Sequence, residues 1–362
     1  VNSPTSESGS AEIKAKSGSK NLSRFKITAA VFSVLGLALF IYFVATIGVD
    51  EILSGVGRIG FGGFALILFI HFLRLTTRAT AWRLSVYSPY ELSLKDTVPA
   101  VVMGEALSTM IPLGILVSGT AKAVAVRRRV PLVVGLSSVA TENLFYSLVT
   151  GIFIALGGFA FLRIFELPDF WRYTIDLIIF GIVASTAFGF LMVLRQWHFA
   201  SEICESLYRR GWLGKYLEHG RLQVRLFENL IYGFYRQYPK RFAPIVGLEI
   251  LFHTLGVAEV LFIVSRIAGS PPTALTAFLL ESMSRTITTT FKLVPFVIGI
   301  DEAGAQFVTE TLAIGAAVGV TLAIVRKGKS LFWAIIGVIL IVSRGLSLRE
   351  LRDPRHANPD DR

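Results

Sequence analysis

The stretch from Glu281 to Gly304, ESMSRTITTTFKLVPFVIGIDEAG, limits the fold more than any other because it sets charges between two long apolar runs. It holds Glu281, Arg285, Lys292, Asp301 and Glu302, a run of threonines (Thr286, Thr288, Thr289, Thr290), and the helix breakers Pro295, Gly299 and Gly304. In hydrocarbon each such polar group costs free energy unless it is paired or faces a cavity. A soluble loop would not be so apolar. The pattern predicts a broken, re-entrant segment lining a polar cavity inside a membrane protein.

The remaining sequence fits that setting. Charged residues make up 17% of the 362, against about 25% in soluble domains, and they cluster so as to leave apolar runs long enough to span a bilayer. The net charge of +11 does not indicate nucleic acid. The Lys and Arg residues sit between apolar runs, where they set orientation and meet anionic headgroups. A single cysteine, Cys204, excludes an intrachain disulfide and a cysteine metal site. No metal-spaced acidic motif, paired His–Asp cluster or plausible nucleophile is present, so neither a metal, a cofactor nor catalysis is expected.

Residues 1–24 are polar and Ser/Gly/Lys-rich and read as a disordered cytoplasmic tail. Ile27 to Ile47 reads as the first span, with five basic residues before it and Asp50 and Glu51 after it, which places the N-terminus in the cytoplasm. Asp50 to Ile59 is a short amphipathic stretch, and Phe61 to Thr80 returns inward, carrying His71 and ending in Arg74, Arg78 and Arg83. Thr97 to Val126 is flanked by basic clusters at both ends, carries Glu105 and Lys122, and contains Pro112, Gly114 and Gly119. A hairpin entering and leaving on the cytoplasmic side satisfies both clusters.

Pro131 to Phe161, with Glu142 in its inner half, crosses outward, and Tyr173 to Leu194 comes back. Residues 195–241 read as amphipathic cytoplasmic helices. Phe242 to Ile267 crosses outward with Glu249, His253 and Glu259 on roughly one helical face, a stripe that should face the protein interior. Ala303 to Val325 is expected to run inward and end at Arg326, Lys327 and Lys329 in the cytoplasm. Leu331 to Val342 is a last short run before a polar tail over 346–362. That arrangement leaves the tail's arginines outside, against the positive-inside preference. The two broken segments, one from each side, suggest an inverted repeat of the kind transporters use.

Three local patterns carry a resemblance: Phe72, Arg74, Arg78, Ala79, Trp82 and Arg83; then Met110-Ile111-Pro112 with Gly119 and Lys122; then Pro295, Gly299, Glu302 and Gly304. In this order, across roughly 25–345, the chain resembles the flippase-like family of the lysylphosphatidylglycerol synthase transmembrane region. It departs in the second pattern, where the spacing is longer and Thr120 replaces the usual acid. The resemblance implies movement of a lipid or lipid-linked molecule across the bilayer. It implies no aminoacyl transfer, because only a short tail follows Val342.

The expected fold is thus all-α, a polytopic membrane bundle of about 6–8 transmembrane helices with two broken or re-entrant segments. The expected activity is that of a lipid flippase or transporter of the cytoplasmic (inner) membrane. An intramembrane lipid-modifying enzyme and a non-transporting partner of a lipid-synthesis complex are the alternatives. The candidate headgroup-binding residues are Arg285, Glu302, Glu281, Lys292, Asp301, Glu105, Glu142 and Glu259, and the candidate helix breaks are Pro112, Gly119, Pro295, Gly299 and Gly304. The expected partners are membrane lipids with polar headgroups, phospholipids first, together with a second copy of the chain or lipid-synthesis enzymes.

Overall fold

The computed structural model describes residues 49–110, 114–209, 214–269, 271–291 and 297–344. The expected first span at 27–47, both tails, Pro112, Lys292 and Pro295 lie outside them. Among the described residues the chain is all helical, and four helices are long and apolar enough to cross a membrane.

The first helix, α1 (Val49–Leu84), bends at Gly60, whose φ of 63° and ψ of 176° are open only to glycine without strain. The amphipathic stretch and the span expected to follow it are therefore one kinked helix. Two short helices come next, α2 (Leu94–Met110) and α3 (Gly114–Ala125). They run antiparallel, since Gly104 lies against Ser118 and Lys122. The long apolar helices α4 (Leu132–Ile164) and α5 (Asp169–Leu194) match their sequence runs. Next come the amphipathic pair α6 (Phe199–Arg209) and α7 (Gly214–Gln237). The buried carboxylate of Glu228 on α7 accepts the Ala200 and Ser201 backbone N–H groups at 2.9 and 3.3 Å, and so caps the start of α6.

The last group is α8 (Phe242–Ile267), α9 (Ala274–Thr290), α10 (Ile300–Thr311) and α11 (Ala316–Ser343). Here the structure departs from the sequence reading. The expected span Ala303 to Val325 does not exist as such: α10 stops at Thr311, and α11 runs unbroken for 28 residues through Arg326, Lys327 and Lys329. Those cations lie mid-helix rather than at a cytoplasmic end, because carboxylates from other helices meet them. Two glycines expected to break helices do not. Gly119 lies inside α3, and Gly304 lies inside α10, where its missing side chain lets Ile287 of α9 approach. Gly299, with φ 80°, does mark a break immediately before α10.

Two sets of four helices share one plan. In each, a long helix is followed by a short antiparallel pair of 17 and 12 residues and then by a second long helix. The packing also corresponds: α2 lies on α11 as α9 lies on α4, and α3 lies on α4 as α10 lies on α11. The two lead helices, α1 and α8, pack against each other antiparallel. Arg58 near the start of α1 donates to the Ile267 carbonyl at 3.3 Å, while Arg241 before α8 donates to the Leu84 and Val86 carbonyls at 3.2 and 2.8 Å. One set is thus inverted relative to the other.

Two apolar clusters hold the bundle at its two ends. One joins Trp82, Met103, Val124 and Ile341; the other joins Ile67, Phe161, Ile263, Leu279 and Leu322. Between them, α1 and α11 each pass through a polar layer, at His71 to Arg78 and Arg326 to Ser330.

Candidate functional site

The polar layer is built from residues spaced one turn apart on facing helices. On α1, Arg74 and Arg78 (i, i+4) point the same way; on α9, Glu281 and Arg285 do likewise; on α11, Arg326 and Lys329 (i, i+3) share a face. Glu281 is 1% exposed and gathers three guanidinium groups: Arg74 at 3.4 Å, Arg285 at 2.9 Å and Arg326. Arg326 also donates to Ser284 Oγ at 2.6 Å. Arg74, itself 2% exposed, bridges to Glu259 of α8 at 3.3 Å and lies over the Phe252 ring at 4.4 Å. Glu259 is also paired with Lys329. Four cations thus rest on two carboxylates, a local surplus of two positive charges.

Two smaller groups flank this cluster. Arg78 binds Glu142 at 2.6 Å and Asn143 at 3.0 Å, and stacks over Tyr146 at 4.1 Å. Lys327 pairs with Glu302 at 2.7 Å and lies 3.8 Å from Asp301. Glu302 also accepts the Gly299 backbone N–H at 2.7 Å, so its carboxylate closes the start of α10 just after the break.

These groups surround a cavity of about 470 Å³, within the range of small-ligand sites. Its wall takes residues near the tips of both short hairpins, Glu105, Ser108 and Thr109 from α2 and Arg285, Thr288 and Thr289 from α9. Seven basic residues line it: Arg74, Arg78, Lys122, Arg285, Arg326, Lys327 and Lys329. Only two acids do, Glu105 and Asp301. The other carboxylates, Glu142, Glu249, Glu259, Glu281 and Glu302, are at most 1% exposed and stand behind the wall. Cations face the space and acids hold them from behind.

Of the residues singled out from sequence, Arg285, Glu105 and Asp301 line the cavity, and Glu281, Glu259, Glu142 and Glu302 position the cations that do. Gly119 is on the wall, and Lys292 lies outside the described residues. Sequence reasoning left out Arg74, Arg78, Arg326, Lys327 and Lys329, which it took for basic ends of spans. An i, i+4 or i, i+3 pairing of basic residues on an otherwise apolar helix was the available signal. His71, expected to hydrogen-bond a neighbouring helix, has no partner at Nδ1 and lies against Trp333 with ring centroids 6.0 Å apart. Among the described residues no cluster of three or more His, Cys, Asp or Glu side chains could hold a metal ion.

Long apolar helices enclosing a layer of buried, mutually paired charges define the chain as an integral membrane protein of the polytopic helical class. The lysylphosphatidylglycerol synthase TM region model matches residues 27–337. The chain therefore belongs to that family, a membrane domain family associated with lipid-related functions. Searches of curated proteins and of solved structures returned no match.

Proposed function

We propose that this protein is a lipid transporter that carries a polar headgroup bearing a phosphate across the cytoplasmic membrane while the acyl chains stay in lipid. The observation that carries the reading is the surplus of two positive charges on the wall of a cavity between the two hairpin tips. Uncompensated charge in a low-dielectric layer is costly, and a phosphate entering the cavity would supply the missing negative charge. Arginine suits the role because its planar fork matches phosphate oxygens.

Support for transport comes from the architecture. Inverted sets of helices with broken segments meeting near the middle are the plan on which many transporters alternate access, and α2–α3 and α9–α10 are read here as re-entrant from opposite faces. With α11 a single helix, the tail after Arg344 falls on the same side as Arg127 to Arg129. Both basic groups and the N-terminus then lie in the cytoplasm, which removes the charge conflict left by the sequence.

The test is reconstitution into liposomes with a headgroup-labelled anionic phospholipid. Movement between leaflets with the lipid chemically unchanged is the expected result. A new lipid species would indicate an enzyme, and neither effect would indicate a partner protein.

A further inference from the structure

One buried charge has no place in the pairing described above. Glu249 of α8 is 0% exposed, and neither carboxylate oxygen has a hydrogen-bond partner. It lies in electrostatic reach of Arg78 of α1, Lys122 of α3 and Glu142 of α4. Arg78 is committed to Glu142 and Asn143. Lys122 is 5% exposed, lines the cavity, and makes no hydrogen bond or ion pair among the described residues. An orphan acid and an orphan base therefore stand side by side, the base on the cavity wall and the acid behind it.

The other groups around α8 are occupied elsewhere. His253, one turn on from Glu249, bonds Thr150 at 3.0 Å through Nε2. On α9 and α11, Arg285 and Arg326 go to Glu281, and Lys329 to Glu259. Before α8, Arg241 is held by backbone carbonyls. Glu105 of α2 acts on Lys122 and Arg78. Lys122 is thus the one cation able to choose between Glu249 and a ligand.

Building on the cavity as an anion site, we infer that Glu249 is a proton-binding site that couples headgroup binding to uptake of a proton. With the cavity empty of anion, Lys122 is the counter-ion of an ionised Glu249. When a phosphate draws Lys122 to itself, Glu249 loses its only free partner. A buried carboxylate without a donor is far costlier than a neutral carboxyl, so Glu249 takes up a proton from water. One H⁺ and one monoanionic phosphodiester bind together, and the complex gains no net charge. A site of this kind moves a proton with each headgroup and lets a proton gradient drive the lipid.

The experiment measures binding of dihexanoyl phosphatidylglycerol to the full chain in detergent, by calorimetry in buffers of different ionisation enthalpy. The probe is a phosphodiester and keeps one charge between about pH 6 and 8, so its own titration cannot supply a proton. The inference expects uptake of about one proton per ligand, with affinity falling about tenfold per pH unit as pH rises. Glu249→Gln should still bind the probe, with no uptake and a flat pH dependence. Binding by the unaltered protein with no proton exchange overturns the coupling alone. Absence of binding at every pH overturns the anion site itself, and the coupling with it.

Discussion

Glu281 is the carboxylate on which the polar layer depends, so Glu281→Gln is the most informative single change. It leaves Arg285 and Arg326 without an acid and Arg74 with only Glu259. The local surplus rises from two positive charges to three. Removing one partner of a buried pair costs about 3–5 kcal/mol, because the other charge is left uncompensated. With two guanidinium groups stranded, the upper part of that range is expected. Thermal or detergent-induced unfolding, followed by tryptophan fluorescence, measures the loss. A second variant separates pairing from packing: adding Arg326→Met to Glu281→Gln removes one stranded charge and should return about 1–3 kcal/mol relative to the sum of the single changes. A single-variant loss under about 1 kcal/mol, or strict additivity in the double variant, would show that Glu281 is not what neutralises these arginines.

Other outcomes follow from the same geometry. Gly256→Ala would place a methyl group 2.6 Å from Glu281 Oε1 and 3.1 Å from Arg74 Nη2; a loss of about 1–3 kcal/mol in the same unfolding assay is expected. Gly337→Ala would push against the Val102 carbonyl at 2.8 Å where α11 crosses α2. It should cost a similar amount while leaving anion affinity unchanged. Trp82→Phe loses the indole donor to Ser138 Oγ at 2.9 Å in a fully buried site, which should cost about 1–2 kcal/mol. In a Cys204→Ser background, a cysteine at Gly328 should resist water-soluble thiol reagents from both sides. Cysteines at Arg129 and Arg344 should react from one and the same side, and reaction from opposite sides would refute the inverted arrangement.

How much of this could be read from sequence depended on where the polar groups find partners. Helices α4, α5 and α8 were legible because their apolar runs are unbroken, and the Glu249–His253–Glu259 stripe was correctly assigned to the interior, at 0–2% exposure. The hairpins announced themselves through charges at both ends and glycines between. Helix α11 was misread because Arg326, Lys327 and Lys329 look like a cytoplasmic loop until Glu281, Glu302 and Glu259 are brought to them from 25 to 70 residues away. Arg74 was misread for the same reason, since its partners are 185 and 207 residues distant. Hydropathy registers the cost of a buried charge and is blind to the partner that offsets it. Gly119 and Gly304 show a second limit: a glycine that breaks a helix and one that lets helices approach look alike in sequence.

The central claim is that the cationic cavity, and not surface charge, moves the lipid. The initial rate of transbilayer movement of a headgroup-labelled anionic phospholipid tests it, compared between Arg285→Ala, which alters the wall, and Arg128→Ala, which alters an exposed surface arginine. Losing about 2 kcal/mol of charge-assisted binding predicts a fall of more than tenfold for Arg285→Ala. Arg128→Ala should move lipid at the unaltered rate. Equal rates in the two variants, with both folded by the unfolding assay, would contradict the account.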